Sequence, residues 1–312
     1  MTTAHDILRD LERSGAREFE TTALAGDLSP VTRRVRRQRA ARAGVGSVAG
    51  LAVLGAGTYG LLRAGDHGAV APAVDSPAPS TSAAPTPDAP VRALGVTAGE
   101  RAERVAEALA GAFDVTPEEA TAALVASLPP EADGQVEGWL APGSYAGTSL
   151  EGAASAMVGG QVQRMSDAVE QRARWQHILT IASIVENEAP DAAVGDWRML
   201  TGLIENRLAA GMTLDLESPL VYVTHADERT VSDDGFAVDS PYNTFMYEGL
   251  PPTPIGNPAE TAIAAAADPL ESNALYVVRT DAGGLLFAET FHDFQLLLVD
   301  QGQLDPRDVL PE

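Results

Sequence analysis

The alternation of apolar and polar residues is clearest in the second half of the chain, where it predicts two consecutive helices. The first runs over residues 175–189 and ends before Pro190, because a proline disfavours helical geometry in the residue that precedes it. The second runs over 197–210 and ends at Gly211, a residue type suited to the left-handed conformation that closes many helices. We assign both helices to one domain over 170–300.

The remainder of this domain is predicted to hold a long irregular stretch, one more helix and a hairpin. Residues 211–258 contain many Pro, Gly, Ser and Asn residues, which is typical of loops. A helix is predicted over 259–267. Two strand-like runs, 275–279 and 285–288, are joined by the turn-forming residues 281–284. The domain therefore combines helices with paired strands.

A smaller α/β module is predicted over residues 94–165. One helical face is formed by apolar residues at helical spacing, namely Val105, Ala106, Leu109 and Phe113. A second helix is expected to begin at Thr116, because its hydroxyl can cap, Pro117 suits the first helical position and Glu119 can complete a capping box. Residues 138–143 form a turn-rich loop.

Near the N-terminus, residues 44–62 form an uncharged stretch whose length approaches the roughly 20 residues that cross a bilayer. Six arginines precede it closely: Arg33, Arg34, Arg36, Arg37, Arg39 and Arg42. Only Arg63 follows closely, so the positive-inside rule predicts an anchor over 43–63, with residues 1–42 in the cytoplasm and the body outside. The alternatives are a buried Gly/Ala-rich helix and a signal peptide cleaved near 69–71.

Residues 64–93 are rich in Ala, Pro and Ser and lack the apolar side chains that a core needs. We therefore expect a disordered linker that separates the body from the membrane. Residues 301–312 are interpreted as a C-terminal tail. The predicted protein is a single-pass protein of the plasma membrane with an extracytoplasmic body.

Composition and charge exclude several classes of function. The 312 residues include no cysteine and only five histidines, and no HExxH spacing occurs, so neither a zinc site nor thiol chemistry is expected. Residues 1–65 carry ten Arg and six acidic residues, a net charge of +4, whereas the rest carries eleven Arg and thirty-eight acidic residues, a net of −27. So acidic a body argues against nucleic acid as a partner, because phosphate binding needs a basic surface.

Carboxylates are the chemical groups that remain, since no GxSxG, P-loop or dinucleotide motif is present. The best candidates are Glu186 and Glu188, near the end of the predicted helix 175–189. They lie about 200° apart around the helix, on opposite flanks of its apolar stripe, so spacing does not choose between them. Glu188 lies in the last turn, where the helix macrodipole disfavours an anion by roughly 0.3–1 kcal/mol. Two solvated helix-end glutamates are the alternative interpretation.

Several ordered segments resemble motifs of the YceG-like (MltG) family of endolytic murein transglycosylases. They are IASIVENEA at 181–189, IENRL at 204–208, GMTL at 211–214, LDLESPLVY at 214–222, SPYNTF at 240–245, GLPPTPIGNP at 249–258 and VEGWLAP at 136–142. Together they cover about residues 95–295. The resemblance implies an α+β fold, in which a single transmembrane helix and a tether lead to a small LysM-like module and a mixed α/β catalytic domain.

The resemblance also implies the chemistry and the site. The second Glu of the family's E-x-E matches Glu188, which would protonate the oxygen between N-acetylmuramic acid and N-acetylglucosamine. The muramic C6 hydroxyl would then close on C1 to give a 1,6-anhydro end, and no cofactor or metal is needed. The expected substrate contacts are Asn206, Tyr242, Asn243, Thr244, Glu186 and Glu217, with a role in bracing the loops as the alternative for the Asn and Thr residues. The implied partners are peptidoglycan glycan strands and a peptidoglycan synthase.

The sequence departs from the family pattern at several positions. Glu217 replaces an Asp, Pro219 replaces a Thr, and the His of a Gly-Gly-His-x-Phe strand is absent from residues 283–287. The closing T-x-x-E-H segment appears as TFHDF at 290–294. These changes motivate a catalytically weakened glycan-binding scaffold as one rival function. A transmembrane signalling protein, suggested by helical spacing in the cytoplasmic tail, is the other.

Overall fold

The computed structural model describes residues 91–225 and 231–310, which form a mixed α/β fold. The predicted combination of helices and strands is confirmed for this part of the chain. Its two sheets are each two-stranded and antiparallel. The predicted cytoplasmic tail, the predicted membrane span at 44–62 and nearly all of the predicted linker lie outside the described residues. Within the described ranges, no helix combines the length and apolarity needed to cross a membrane.

The first part of the described chain follows the order β-α-α-β-α. It contains β1 (Arg92–Val96), α1 (Ala102–Phe113), α2 (Pro117–Ser127), β2 (Gly143–Gly147) and α3 (Leu150–Ala168). These elements enclose an apolar cluster that includes Val105, Leu109 and Leu124.

The capping box predicted at the start of α2 is confirmed. The Thr116 hydroxyl accepts the amide of Glu119 at 3.2 Å, and the Glu119 carboxylate accepts the amide of Thr116 at 2.9 Å. These bonds satisfy amide groups that have no partner within the helix, which is why the sequence signal locates this helix start well.

Helix α3 has no counterpart among the elements predicted from apolar periodicity. Its 19 residues begin after Ser149, whose hydroxyl accepts the amide of Gly152 at 3.1 Å. The helix is rich in Gly and Ala, so its apolar face is weakly marked. Its small residues allow close packing instead: a Cβ added to Gly160 would lie 3.0 Å from the Cβ of Ala141.

The second part of the chain is built on α4 (Trp175–Glu188), α5 (Val194–Ala209) and α7 (Glu260–Ala267), which pack against one another. Their cluster contains Trp139 and Trp175, both almost fully buried. Helices α4 and α7 agree with the predicted ranges to within a residue. Helix α5 begins three residues before the prediction, because its start is set by packing of the buried Trp197, whose indole donates to the Ala189 carbonyl at 2.8 Å.

The stretch 211–258, predicted to be irregular, contains a short helix. Helix α6 (Ser218–Thr224) has seven residues and is followed by a 3-10 turn at Asp233–Ala237. The stretch is loop-rich, as predicted, but the helix within it was not predicted. A helix of two turns shows little periodicity, and its surroundings of Pro and Gly hide it.

A hairpin and a final helix complete the described chain. Strands β3 (Tyr276–Arg279) and β4 (Leu285–Ala288) pair antiparallel, as predicted, and α8 (Phe291–Asp300) packs on both. Helix α8 was not predicted. It begins after Thr290, whose hydroxyl accepts the amide of Asp293 at 3.1 Å.

The first and second parts meet through an extensive polar contact. The backbones of Glu100 and Asn257 form a β-bridge, and the Asn257 side chain donates to the Glu100 carbonyl and accepts the amide of Leu140. The chains approach so closely here that a Cβ on Gly256 would lie 2.5 Å from the carbonyl oxygen of Gly99. This contact fixes the first part against the loop that precedes α7.

Candidate active site

Glu188 is the last residue of α4 and lies where this helix meets the start of α6. Its Oε2 accepts the backbone amide of Ser218 at 2.9 Å and that of Glu217 at 3.1 Å. Its side chain is half-buried, and its Oε1 has no hydrogen-bond partner among the described residues. The carboxyl group is therefore oriented through one oxygen while the other stays available.

The C-terminal end of α4 is also neutralised from another direction. The Arg279 guanidinium, which extends from β3, donates to the carbonyl oxygen of Glu188 at 3.0 Å. The macrodipole of α4 alone disfavours an anion at Glu188. In the structure, the positive start of α6 and the charge of Arg279 both oppose that dipole, so α4 does not act alone on this carboxyl group.

Glu186 points to a different neighbour, as its angular separation from Glu188 predicts. It is 7% exposed, and both of its carboxylate oxygens lie 3.3 Å from the amide of Ala259 at the start of α7. Burial raises its pKa to about 7. The interpretation of both glutamates as solvated is wrong for Glu186, because this side chain lies in the protein interior.

Glu217 and Ser218 flank the catalytic candidate on the α6 side. The Oε1 of Glu217 accepts the amide of Val231 at 3.1 Å, so its side chain reaches toward the loop that follows α6. The Ser218 hydroxyl is buried and has no partner among the residues that the structure describes. The structure thus brings Glu217, a predicted substrate contact, next to Glu188.

Asn243 and Thr244 lie in the interior of the loop that follows the 3-10 turn. The Asn243 side-chain amide donates to the carbonyls of Phe236 and Val238, and its oxygen accepts the amide of Phe245. The Thr244 hydroxyl donates to the carbonyl of Leu216 at 2.7 Å. The Thr244 side chain therefore braces the segment that leads into α6, and the Asn243 side chain braces the loop that follows the 3-10 turn.

Asn206, on α5, makes a comparable contact with backbone carbonyls. Its side-chain amide donates to the carbonyls of Ser272 at 2.8 Å and Ala274 at 3.0 Å. Both amide hydrogens are thereby used, and the contact fixes the segment that leads into β3.

Tyr242 is half-buried and contacts a second tyrosine. Its ring lies 5.2 Å from that of Tyr222 on α6, and its hydroxyl is 2.6 Å from that of Thr253. Four of the expected substrate contacts lie in the predicted loop stretch 211–258. Of these four, Tyr242 and Glu217 have partly exposed side chains, whereas Asn243 and Thr244 are buried.

Four residues near the site received no role from the sequence: Glu137, Ser218, Tyr222 and Arg279. Glu137 is 8% exposed, and burial raises its pKa to about 7. Three of them lie within the segments that carry the family resemblance, so their position in a motif was the available signal. Arg279 lies in the predicted strand, where it looks like an ordinary outward-facing charge.

Across residues 91–225 and 231–310, no group of three or more His, Asp and Glu side chains is placed to hold a metal ion.

The sequence profile of the YceG-like family matches residues 2–298, and the chain belongs to this family. The chain is 30% identical over 166 residues to the endolytic murein transglycosylase of Bacillus subtilis (strain 168), a match that covers 51% of this chain and 46% of that protein. It is 27% identical over 182 residues to the endolytic murein transglycosylase of Streptococcus pneumoniae serotype 2 (strain D39), covering 53% of this chain and 32% of that protein. The match therefore spans less than half the length of these curated relatives.

The fold has a solved counterpart as well. A YceG-like protein of Listeria monocytogenes, known from a crystal structure, superposes with a TM-score of 0.58 at 25% identity. The superposition covers 67% of this chain and 76% of that protein. The mixed α/β fold described above is thus one that the family is known to adopt.

Proposed function

We propose that this protein is an endolytic lytic transglycosylase of peptidoglycan. It would cleave the glycosidic bond between N-acetylmuramic acid and N-acetylglucosamine and leave a 1,6-anhydromuramyl end, which limits the length of nascent strands. The observation that carries the proposal is the carboxyl group of Glu188, held by two backbone amides with one oxygen free. The names of the two curated relatives support the same activity.

The geometry of Glu188 supports a position for the catalytic proton. Because Oε2 accepts two amide hydrogens, a proton that is ready for transfer lies on Oε1. Oε1 donates it to the glycosidic oxygen as the bond to C1 breaks. The muramic C6 hydroxyl attacks C1, and the carboxylate takes up the proton that this hydroxyl releases. No water enters the reaction, so a second carboxylate to activate water is not required, in contrast to glycosidases that hydrolyse their substrate.

The expected substrate contacts are divided into residues that touch the sugars and residues that hold the surrounding loops. Tyr242 and Glu217 are proposed to touch the sugars, since their side chains are partly exposed. Asn243, Thr244 and Asn206 act by holding the surrounding loops, a role supported by their hydrogen bonds to backbone carbonyls.

The reaction is tested by the chemistry of its product. Purified glycan strands are incubated with the full chain, and the fragments are analysed by mass spectrometry. The proposal expects fragments that end in 1,6-anhydromuramic acid. Reducing ends without the anhydro ring would identify a hydrolase, and the absence of any product from a folded preparation would favour a glycan-binding scaffold.

The proposal includes attachment to the plasma membrane through residues 44–62, with the N-terminus in the cytoplasm and residues 64–93 as a tether. The arginine asymmetry around this stretch supports it. A reporter that is active only outside the cytoplasm, fused after Glu312, should be active. Activity of a reporter that works only in the cytoplasm would contradict this topology.

We also propose that residues 94–165 serve as a LysM-like glycan-binding module. Their β-α-α-β order and their own apolar cluster support a separately built unit. A folded fragment of residues 91–168 is expected to sediment with insoluble peptidoglycan, and a folded fragment that stays in solution would refute the assignment.

A peptidoglycan synthase is the proposed protein partner, because cleavage of nascent strands near the membrane requires access to their site of synthesis. Crosslinking of the full chain in membranes should recover a synthase. Recovery of the chain alone would argue against a stable complex.

A further inference from the structure

Helix α6 links the catalytic candidate to the first part of the chain. At its N-terminal end, it supplies the amide of Ser218 to Glu188, with that of Glu217 just before it. At its other end, it is held by the side chain of Arg101, which precedes α1 in the chain, and by that of Glu137, which follows α2. Helix α6 therefore connects the Glu188 carboxyl to the contacts at its far end.

Glu137 is the central residue of this second contact. Its Oε2 accepts the Tyr222 hydroxyl at 3.1 Å, and its Oε1 accepts the amide of Ala102 at 3.0 Å. The side-chain amide of Asn257 lies 3.5 Å from the same Oε1. One buried carboxyl group thus joins α6, the first residue of α1 and the loop before α7.

Arg101 fixes the same helix at its C-terminal end. Its guanidinium donates to the carbonyl of Val221 at 2.9 Å and lies 2.9 Å from Nδ1 of His225. It also covers the ring of Tyr222 at 5.0 Å from the ring centroid. Tyr222 is therefore held on its face by Arg101 and at its hydroxyl by Glu137.

We propose that Glu137 is a positioning residue for Glu188. Glu137 acts on Glu188 through the Tyr222 hydroxyl and helix α6. Tyr222 lies four residues after Ser218, so both belong to the same face of α6. The helix has only two turns, and a shift at Tyr222 is transmitted directly to the amides at its start. Misplacement of a catalytic group by about 1 Å costs up to roughly 100-fold in rate.

The proposal rests on the proposed function, in which Glu188 is the catalytic acid. It also predicts how conservative variants behave. Glu137→Gln keeps an oxygen for Ala102 and places an amide against the Tyr222 oxygen, which can accept, so it should preserve most of the activity. Glu137→Ala removes both contacts, and Tyr222→Phe removes only the contact to α6.

The kinetic experiment compares these variants of the full chain with Tyr247→Phe, a matched control at an exposed tyrosine whose hydroxyl bonds to Asp239. Tyr222→Phe and Glu137→Ala should lower kcat by about tenfold or more with little change in KM, whereas Tyr247→Phe and Glu137→Gln should stay near wild type. The double variant Tyr222→Phe/Glu137→Ala should be no slower than Glu137→Ala, because both changes break one linkage. Wild-type kcat in Tyr222→Phe, or a loss confined to KM, would overturn the proposal.

A second measurement does not depend on catalysis. Hydrogen exchange at the amides of Glu217 and Ser218 should accelerate in Tyr222→Phe and Glu137→Ala and stay unchanged in Tyr247→Phe. Accelerated exchange in a protein without transglycosylase activity would retain the linkage and reject the proposed function. Unchanged exchange together with unchanged kcat, in an enzyme that Glu188→Gln inactivates, would reject the linkage alone.

Discussion

Ser218 donates its backbone amide to Oε2 of Glu188 at 2.9 Å, although the two residues are thirty positions apart in the chain. The contact joins the negative end of α4 to the positive end of α6, and it leaves Oε1 without a hydrogen-bond partner among the described residues. Because the donor is the backbone, the orientation of Glu188 depends on the path of the loop before α6 and tolerates changes of the Ser218 side chain.

The Ser218 side chain provides a first prediction. Its hydroxyl is buried without a partner among the described residues, so it contributes a desolvation cost and no hydrogen bond. Ser218→Ala keeps the amide that binds Glu188. We expect the melting temperature to stay the same or rise slightly, and kcat to change by less than about threefold. A large loss of kcat in a stable Ser218→Ala protein would mean that the hydroxyl takes part in the reaction.

The two buried glutamates predict an unusual dependence of stability on pH. Burial raises the pKa of Glu137 and of Glu186 to about 7 in the folded protein, from an ordinary value of 4.5. The folded state therefore binds protons more tightly, and the free energy of unfolding should fall as the pH rises from about 4.5 to about 7 and level off above. The difference amounts to roughly 3 kcal/mol for each group.

The contribution of Glu186 is separated by substitution. Glu186→Gln is neutral at every pH, so its free energy of unfolding, measured with urea from pH 5 to pH 8, should fall less steeply than that of the wild type. Glu118→Gln, at an exposed position on α2, should follow the wild-type profile. Identical slopes for the wild type and Glu186→Gln would contradict this assignment.

Asp215 predicts a large effect on stability. Its φ of 51° lies in the left-handed region, and its carboxylate bonds to the buried Arg207 at 2.7 Å and to the Thr213 hydroxyl at 2.8 Å. Asp215→Ala would leave the Arg207 charge buried without its carboxylate, and we expect a loss of about 3–5 kcal/mol in the free energy of unfolding.

The matched control for Asp215 is the pair of Glu131 and Arg172, whose arginine side chain is 55% exposed. Glu131→Ala should cost less than about 1 kcal/mol, because exposed ion pairs contribute little. Asp215→Asn should be milder than Asp215→Ala, since Asn tolerates the left-handed region. Equal losses in the free energy of unfolding for Glu131→Ala and Asp215→Ala would show that burial does not determine how much the ion pair of Arg207 and Asp215 stabilises the protein.

Local sequence signals predicted those parts of the fold that depend on neighbouring residues. The periodicity of α4, the capping box at Thr116 and the hairpin of β3 and β4 all arise from interactions within a few residues, and the structure confirms them. Helix α3 was not predicted, because its Gly and Ala residues mark an apolar face only weakly. Helix α6 was not predicted either, because a helix of seven residues shows little periodicity.

The surroundings of Glu188 were less accessible to sequence reasoning. The pairing of Glu137 with Tyr222 spans 85 positions, and the position of Arg279 beside α4 depends on the packing of the hairpin. For the same reason, the sequence did not place the start of α6 opposite the C-terminal end of α4. The family resemblance marked Asn206 and Asn243 as substrate contacts, whereas the structure shows the backbone carbonyls to which they donate.

The central claim is that Glu188 donates the proton that breaks the glycosidic bond. Its most direct test is the rate at which Glu188→Gln releases 1,6-anhydromuramyl fragments from purified glycan strands, beside the wild type and Glu186→Gln. The amide keeps the shape of the side chain but has no acidic proton, and loss of general acid catalysis alone costs typically 10²–10⁴-fold. We predict a loss at the upper end of that range or beyond for Glu188→Gln, since the group also serves as base, and a milder loss for Glu186→Gln. Wild-type release by folded Glu188→Gln, together with loss of release in Glu186→Gln, would contradict the account and assign the proton to Glu186.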